Sequence, residues 1–170
     1  MNPMTQVATN SDFAAFVPAV LRSATSPSEI YEQNRHRIYS LAFWMTDHEL
    51  AAEELMTQAF CRAFRRNDTP TADEIDQALI AELRRYTPLG TLSLNCAPSE
   101  KVLSVRRNVL RVDLERAVVQ LPGTEKLIFL MHDVEGYDHG RIANLLNITQ
   151  FESRNGLHQA RLRMRELLAK

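Results

Sequence analysis

The chain has 170 residues, 20 Lys and Arg against 21 Asp and Glu, and a 45% apolar content. That length fits one medium domain or two small ones, and that composition builds cores and excludes wholesale disorder. Two cysteines without tight spacing, Cys61 and Cys96, exclude a disulfide framework and a cysteine zinc site, and no apolar run reaches the roughly 18 residues of a membrane span.

Glycine is scarce while Leu, Ala, Glu, Arg and Gln dominate, which favours helix over sheet. Residues 1–25 are polar and mixed, and read as a flexible N-terminal segment. Inside it, Phe13 to Leu21 is apolar but holds Pro18 and follows no basic leader, so it reads as a short docking segment and not a signal peptide. Ser26-Pro27-Ser28-Glu29 is a helix start: a capping serine, proline at the first turn, and glutamate three residues after the serine. Ile30, Tyr31, Ile38, Leu41, Ala42 and Met45 follow at helical spacing. Asp47 offers a second cap, and Leu50, Ala51, Leu55, Ala59, Phe60 and Ala63 form the next stripe, closed by Arg62, Arg65 and Arg66. Trp44 and Cys61 are expected in the core.

Asn67-Asp68-Thr69-Pro70 breaks the pattern. Thr71 and Glu74 form another capping box, opening a helix over 72–86 with Ile75, Leu79, Ile80 and Leu83 inward. Residues 87–107, with Pro88, Gly90 and Pro98, show little periodicity and read as a flexible linker holding two units apart. Helix resumes over 112–121, with Leu114, Val118 and Leu121 on one side, and again over 124–133, stopped at Gly136. Asp138 caps a short helix, Asn147-Ile148 turns, and Thr149 with Glu152 boxes a last helix running to Leu168. The expected fold is all-α, in two small helical domains at 26–86 and 108–170 joined by the linker, the second with a helix-turn-helix.

Charge is unevenly spread. The C-terminal stretch holds Arg141, Arg154, Arg161, Arg163, Arg165 and Lys170 against Glu152 and Glu166, while Asp47 to Glu54 is acidic. A short helix, tight turn and longer basic helix over 138–168 is the grammar of a helix-turn-helix, whose second helix enters the DNA major groove. Gln150, Phe151, Glu152, Arg154, Asn155, His158 and Arg161 are the DNA-binding candidates. Arginine there adds sequence-independent affinity through counterion release. A merely packed helical hairpin has the same grammar.

The stretch Leu114-Glu115-Arg116-Ala117-Val118-Val119-Gln120-Leu121-Pro122, then Phe129-Leu130-Met131-His132-Asp133-Val134-Glu135-Gly136, resembles the fourth region of RNA polymerase sigma factors of the extracytoplasmic-function type, in the sigma-70 family. Ile142-Ala143, Leu145-Leu146, Ile148 and Leu157-His158-Gln159-Ala160-Arg161 continue the likeness. The first half is similar to the family's second region through Tyr31, Tyr39, Leu41-Ala42, Ala52-Glu53-Glu54-Leu55 and Gln58-Ala59-Phe60. The resemblance implies three partners: core RNA polymerase through its β′ clamp helices, double-stranded promoter DNA near minus thirty-five, and an anti-sigma factor. It also implies Glu54, Leu55, Gln58 and Ala59 as polymerase-binding residues.

This sequence departs from the family's pattern in places. Ala59 replaces the usual acidic residue. The 72–86 helix lacks the tryptophan and asparagine that serve the minus-ten element, with only Arg84, Arg85 and Tyr86 suited to DNA. Gly156 stands where arginine is usual, at a helix-interior cost of about 1 kcal/mol against alanine. Ser153 replaces an apolar residue, a gap Phe151 is expected to fill.

No Ser-His-Asp grouping, Gly-rich phosphate loop or supported carboxylate pair is present, so an enzyme is not expected; nor are a cofactor, a metal or membrane association. Reduced cysteines make the cytoplasm the default location. The expected function is promoter-specific initiation by bridging polymerase and promoter. Two alternatives stay open: a degenerate sigma-like protein acting through an anti-sigma partner, and a stand-alone helix-turn-helix regulator.

Overall fold

The computed structural model describes residues 25–98 and 109–169. The expected flexible N-terminal segment, apart from Thr25, residues 99–107 of the expected linker, and residues 108 and 170 of the expected second domain lie outside them. Among the described residues the chain forms seven α-helices, one π-helical turn and no strand.

The first three helices are α1 (Pro27–Thr46), α2 (Glu49–Arg66) and α3 (Ala72–Leu83). The box at Ser26 forms as expected: its hydroxyl accepts from Glu29 N–H at 3.2 Å, and Glu29 Oε2 accepts from Ser26 N–H at 2.9 Å. Asp47 does not cap α2. It takes a left-handed conformation (φ 52°) that closes α1, and His48 Nδ1 caps α2 by accepting from Ala51 N–H at 3.3 Å. One left-handed and one extended residue thus reverse the chain between antiparallel neighbours.

Ile38, Leu41, Leu55, Ala59, Ile75, Leu79 and Leu83 meet between these helices, all but excluded from water. Each large side chain buried there contributes about 1.5–3 kcal/mol. Trp44 is half-buried, packed edge-on against Phe43. Cys61 is exposed, not core, because it lies off the stripe formed by Ala52, Leu55, Ala59, Phe60 and Ala63. Leu50 is likewise off that stripe and 70% exposed. The α3 helix ends at Leu83, short of the expected 86, because the amides of Arg85 and Tyr86 bond three residues back in a tightened turn.

The second unit comprises α4 (Arg111–Val119), α5 (Gly123–Phe129) running into a π turn at Leu130–Val134, α6 (His139–Leu146) and α7 (Gln150–Leu168). Gly136 takes φ 73° at the expected stop, where glycine carries no Cβ penalty. Leu127, Ile128, Leu130, Met131, Ile142, Leu146, Leu157 and Ala160 form the core, whereas Leu114, expected inward, is 41% exposed.

The flexible tether holding two units apart needs correction over its described part. Residues 87–98 form no regular element, yet they lie along the second unit as a strap. Leu92, Leu94 and Cys96 face inward at alternate positions. Glu125, wholly buried, accepts from the amides of Ser93 and Leu94, the latter at 2.7 Å. Thr124 Oγ1 accepts from Gly90 N–H at 3.2 Å, and Gln159 Oε1 accepts from Cys96 N–H. Backbone donors that water would otherwise take are satisfied by the second unit.

The two units also touch directly: α3 lies against α6, and α1 against α4 and α5. At the centre of that contact Asp76 of α3 is wholly buried. Arg37 Nη2 and Arg141 Nη2 each reach it at 2.9 Å, and Tyr137 Oη donates to it at 2.7 Å. Burial pushes the Asp76 carboxyl up, against the pull of Arg37, Tyr137 and Arg141. The same surroundings push the Tyr137 phenol well above its ordinary range, through burial first and its bond to Asp76 second. Removing one partner from such a group costs about 3–5 kcal/mol, because a buried charge is left unpaired.

Candidate nucleic-acid interface

The α6–turn–α7 segment is a helix-turn-helix. Asp138 caps α6, its Oδ1 accepting from Arg141 N–H at 2.8 Å. Asn147 ends α6 in the left-handed region (φ 57°), and its N–H bonds Ala143 O. Thr149 and Glu152 then form the box that opens α7: Thr149 Oγ1 accepts from Glu152 N–H at 3.1 Å, and Glu152 Oε2 accepts from Thr149 N–H at 2.7 Å. Those bonds with Thr149 hold the Glu152 carboxyl below the usual range.

The long helix α7 divides cleanly. Ser153, Gly156, Leu157, Gln159 and Ala160 face the core, while Gln150, Phe151, Arg154, Asn155 and His158 face water. The exposed set lies in the N-terminal half, where such a helix meets base edges. Of the seven candidates, these five are exposed and make no side-chain hydrogen bond or ion pair among the described residues. The other two are engaged: Glu152 in the cap, and Arg161 in a two-pronged pair with Asp133 at 2.6 and 3.0 Å. Burial works to raise the Asp133 carboxyl, but hydrogen bonds from Arg161 and His132 outweigh it and hold it low. Arg161 braces α7 against the π turn in this state.

Phe151 does not fill the gap left by Ser153; it is 77% exposed. Ser153 is itself wholly buried, and its hydroxyl shares a 2.9 Å hydrogen bond with His139 Nδ1. A small polar residue fits there because α6 supplies the partner. The His139 ring stacks on His132 with centroids 4.6 Å apart. Burial lowers the His139 pKa, helped by the nearby charge of His132, Arg154 and Arg161.

Gly156 also has a local reason. A Cβ there would stand 2.6 Å from Ile128 Cδ1 and 2.8 Å from Leu92 Cδ2, so those side-chain ends would have to shift. The strap and α5 close on the helix backbone at that point, and glycine leaves them the space. The alternation Leu92-Ser93-Leu94-Asn95-Cys96 was the signal of that strap, a period of two inside a stretch with no helical period.

On α2, Glu54 is exposed, Gln58 is half-buried, and Gln58 Nε2 donates to Glu54 Oε1 at 2.9 Å. Leu55 and Ala59 are wholly buried in the three-helix core. As contact residues these two are corrected: they position the helix, and only Glu54 and Gln58 of the four offer a polar surface. Below them a cleft runs between α2 and α3, with Arg62 and Arg85 both paired to Glu82 at 2.6 and 3.1 Å. Among the described residues no group of three His, Cys, Asp or Glu side chains is arranged to hold a metal ion, and no helix is long and apolar enough to cross a membrane.

Residues 111–164 match the family described as sigma-70, region 4. The chain is similar to the ECF RNA polymerase sigma factor SigE of Mycolicibacterium smegmatis, at 26% identity over 168 residues. That match takes in 86% of this chain and 64% of the relative's length, so the chain spans a little under two thirds of it. Its fold is similar to the sigma factor RpoE in the co-crystal structure with the anti-sigma factor NepR from Bartonella quintana. The TM-score is 0.62 at 15% identity, over 83% of this chain and 95% of the other.

Proposed function

We propose that this chain, a sigma-70 family protein of the extracytoplasmic-function type, directs promoter-specific initiation by bridging core RNA polymerase and promoter DNA. The observation that carries the proposal is the water-facing row Gln150, Arg154, Asn155 and His158, set on a rigid helix by the cap at Thr149 and the core beneath it. Donors and acceptors on such a row suit base edges, while arginine suits phosphate. Phe151 adds an apolar surface fit for a thymine methyl.

At the other end, Glu54 and Gln58 offer a polar contact to the polymerase clamp on a helix fixed by Leu55 and Ala59. The division into 26–86, 87–107 and 108–170 serves the two grips. Neither need be tight, because each raises the effective concentration of the other. An anti-sigma factor fits as the regulating partner, as one is bound to RpoE in the similar structure.

The acidic α3 favours the second reading, a degenerate sigma-like protein that acts through that partner. Asp73 and Asp76 occupy a helix from which the minus-ten element would otherwise be read. Reconstituted transcription with core polymerase separates the two. Promoter-specific transcripts support initiation; polymerase binding without transcripts supports the degenerate reading.

A further inference from the structure

The α3 helix meets the helix-turn-helix through charge. Arg141 stands on α6, the helix that in this motif crosses the DNA backbone, where an arginine meets phosphate. Here its guanidinium is already occupied. Nη2 lies 2.9 Å from Asp76 Oδ2 and Nε lies 2.7 Å from Asp73 Oδ1, while the group covers the Tyr137 ring at 3.7 Å. The Nε–H is buried without a hydrogen-bond partner, so the Asp73 contact is an ion pair without hydrogen-bond alignment. Two carboxylates one helical turn apart thus surround Arg141 with oxygen as neighbouring phosphates would. At the end of α3, Arg84 Nη2 donates to Leu146 O at 3.2 Å, holding the last turn of α6 from the same side.

We propose that Asp73 and Asp76 are an internal surrogate for DNA phosphate, latching Arg141 in a closed form that must open before the helix-turn-helix seats on promoter DNA. This rests on the promoter-binding reading above. A latch of charges suits the task. Its charged groups are well solvated once apart. The strap stays with the second unit, since Thr87 and Leu89 press on Gly123 and Leu92 on Gly156. That leaves residues 84–86, a turn whose amides bond back onto α3, as the connection at which the units part. A duplex that binds only the open form is weakened by the fraction of chain that is closed.

The test uses the full chain with Cys61→Ser and Cys96→Ala, spin-labelled at Gln33→Cys on α1 and Asn144→Cys on α6, both exposed positions. Pulsed electron paramagnetic resonance on the parent should give a dominant narrow distance population with a minor longer one. Asp73→Asn with Asp76→Asn should make the longer one dominant and tighten binding to an upstream-element duplex by about tenfold, the gain expected if about one parent molecule in ten is open. Arg141→Gln should open the chain equally but weaken the duplex complex. Asp73 is more than half exposed, so Asp73→Asn alone tests the same direction if the double variant does not fold. A folded double variant that stays closed overturns the latch. One that opens without gain in affinity overturns the surrogate. A chain that opens on schedule yet in every form fails to bind promoter duplex contradicts the promoter reading, and with it the surrogate, while the latch stands on the distances.

Discussion

Leu92 of the strap sits directly over Gly156 of α7, where any Cβ would stand 2.8 Å from its Cδ2. The contact ties the segment between the units to α7, and it sets a conflict between local and tertiary preference. Alanine is better than glycine in a helix interior by about 1 kcal/mol. Overpacking a filled core costs about 1–3 kcal/mol. Gly156→Ala is therefore expected to lower stability, measured by thermal unfolding, and Leu92→Ala in the same chain to recover most of the loss. Destabilisation that Leu92→Ala leaves untouched would mean that Ile128 alone resists the methyl.

Arg154 is exposed with no carboxylate partner among the described residues. Arg154→Ala should weaken upstream-element binding by about 1–3 kcal/mol and change base preference at one position. Binding across a panel of single-base duplex variants checks this. An equal loss on every sequence would assign Arg154 to phosphate instead.

Gln58 contacts Glu54 and otherwise faces out of the three-helix core. Gln58→Ala should weaken the complex with core polymerase while leaving duplex binding unchanged. Leu55→Ala should instead unfold the first unit or lower its melting temperature, at a cost of about 2–5 kcal/mol, because Leu55 is wholly buried. Polymerase affinity measured beside melting temperature tells a contact residue from a positioning one.

The His139 imidazole has a lowered pKa, so the folded state resists a proton that the unfolded chain accepts. The sign follows. Its contribution to stability is fully present above the ordinary histidine value near 6.5, and is lost as pH falls from there through the lowered folded value. A nuclear magnetic resonance titration should find His139 below the ordinary value. His132→Gln removes one of the charges that depress it and should move the midpoint upward.

Much of this architecture was legible in local chemistry. The boxes at Ser26, Thr71 and Thr149 form as their residues require, and Gly136 and Asn147 stop their helices by adopting positive φ. Such signals act within a few residues, so they survive without tertiary context. What stayed hidden depends on partners far along the chain. Asp76 reads as a solvated helix acid until Arg141, 65 residues later, is placed beside it. Ser153 and Gly156 read as departures until His139 and Leu92 explain them. Phe151 lies on the outer face of α7, and hydrophobicity alone does not tell which face of a helix a residue occupies. The strap shows little helical periodicity because its period is two amid helices of period 3.6.

A gel-shift assay with the intact chain, core RNA polymerase and a promoter duplex tests whether one chain holds polymerase and promoter together. A three-part complex more stable than either pair is expected, weakened by Gln58→Ala on one side and by Arg154→Ala on the other. A chain that shifts the duplex alone, and never carries polymerase with it, would rule out bridging.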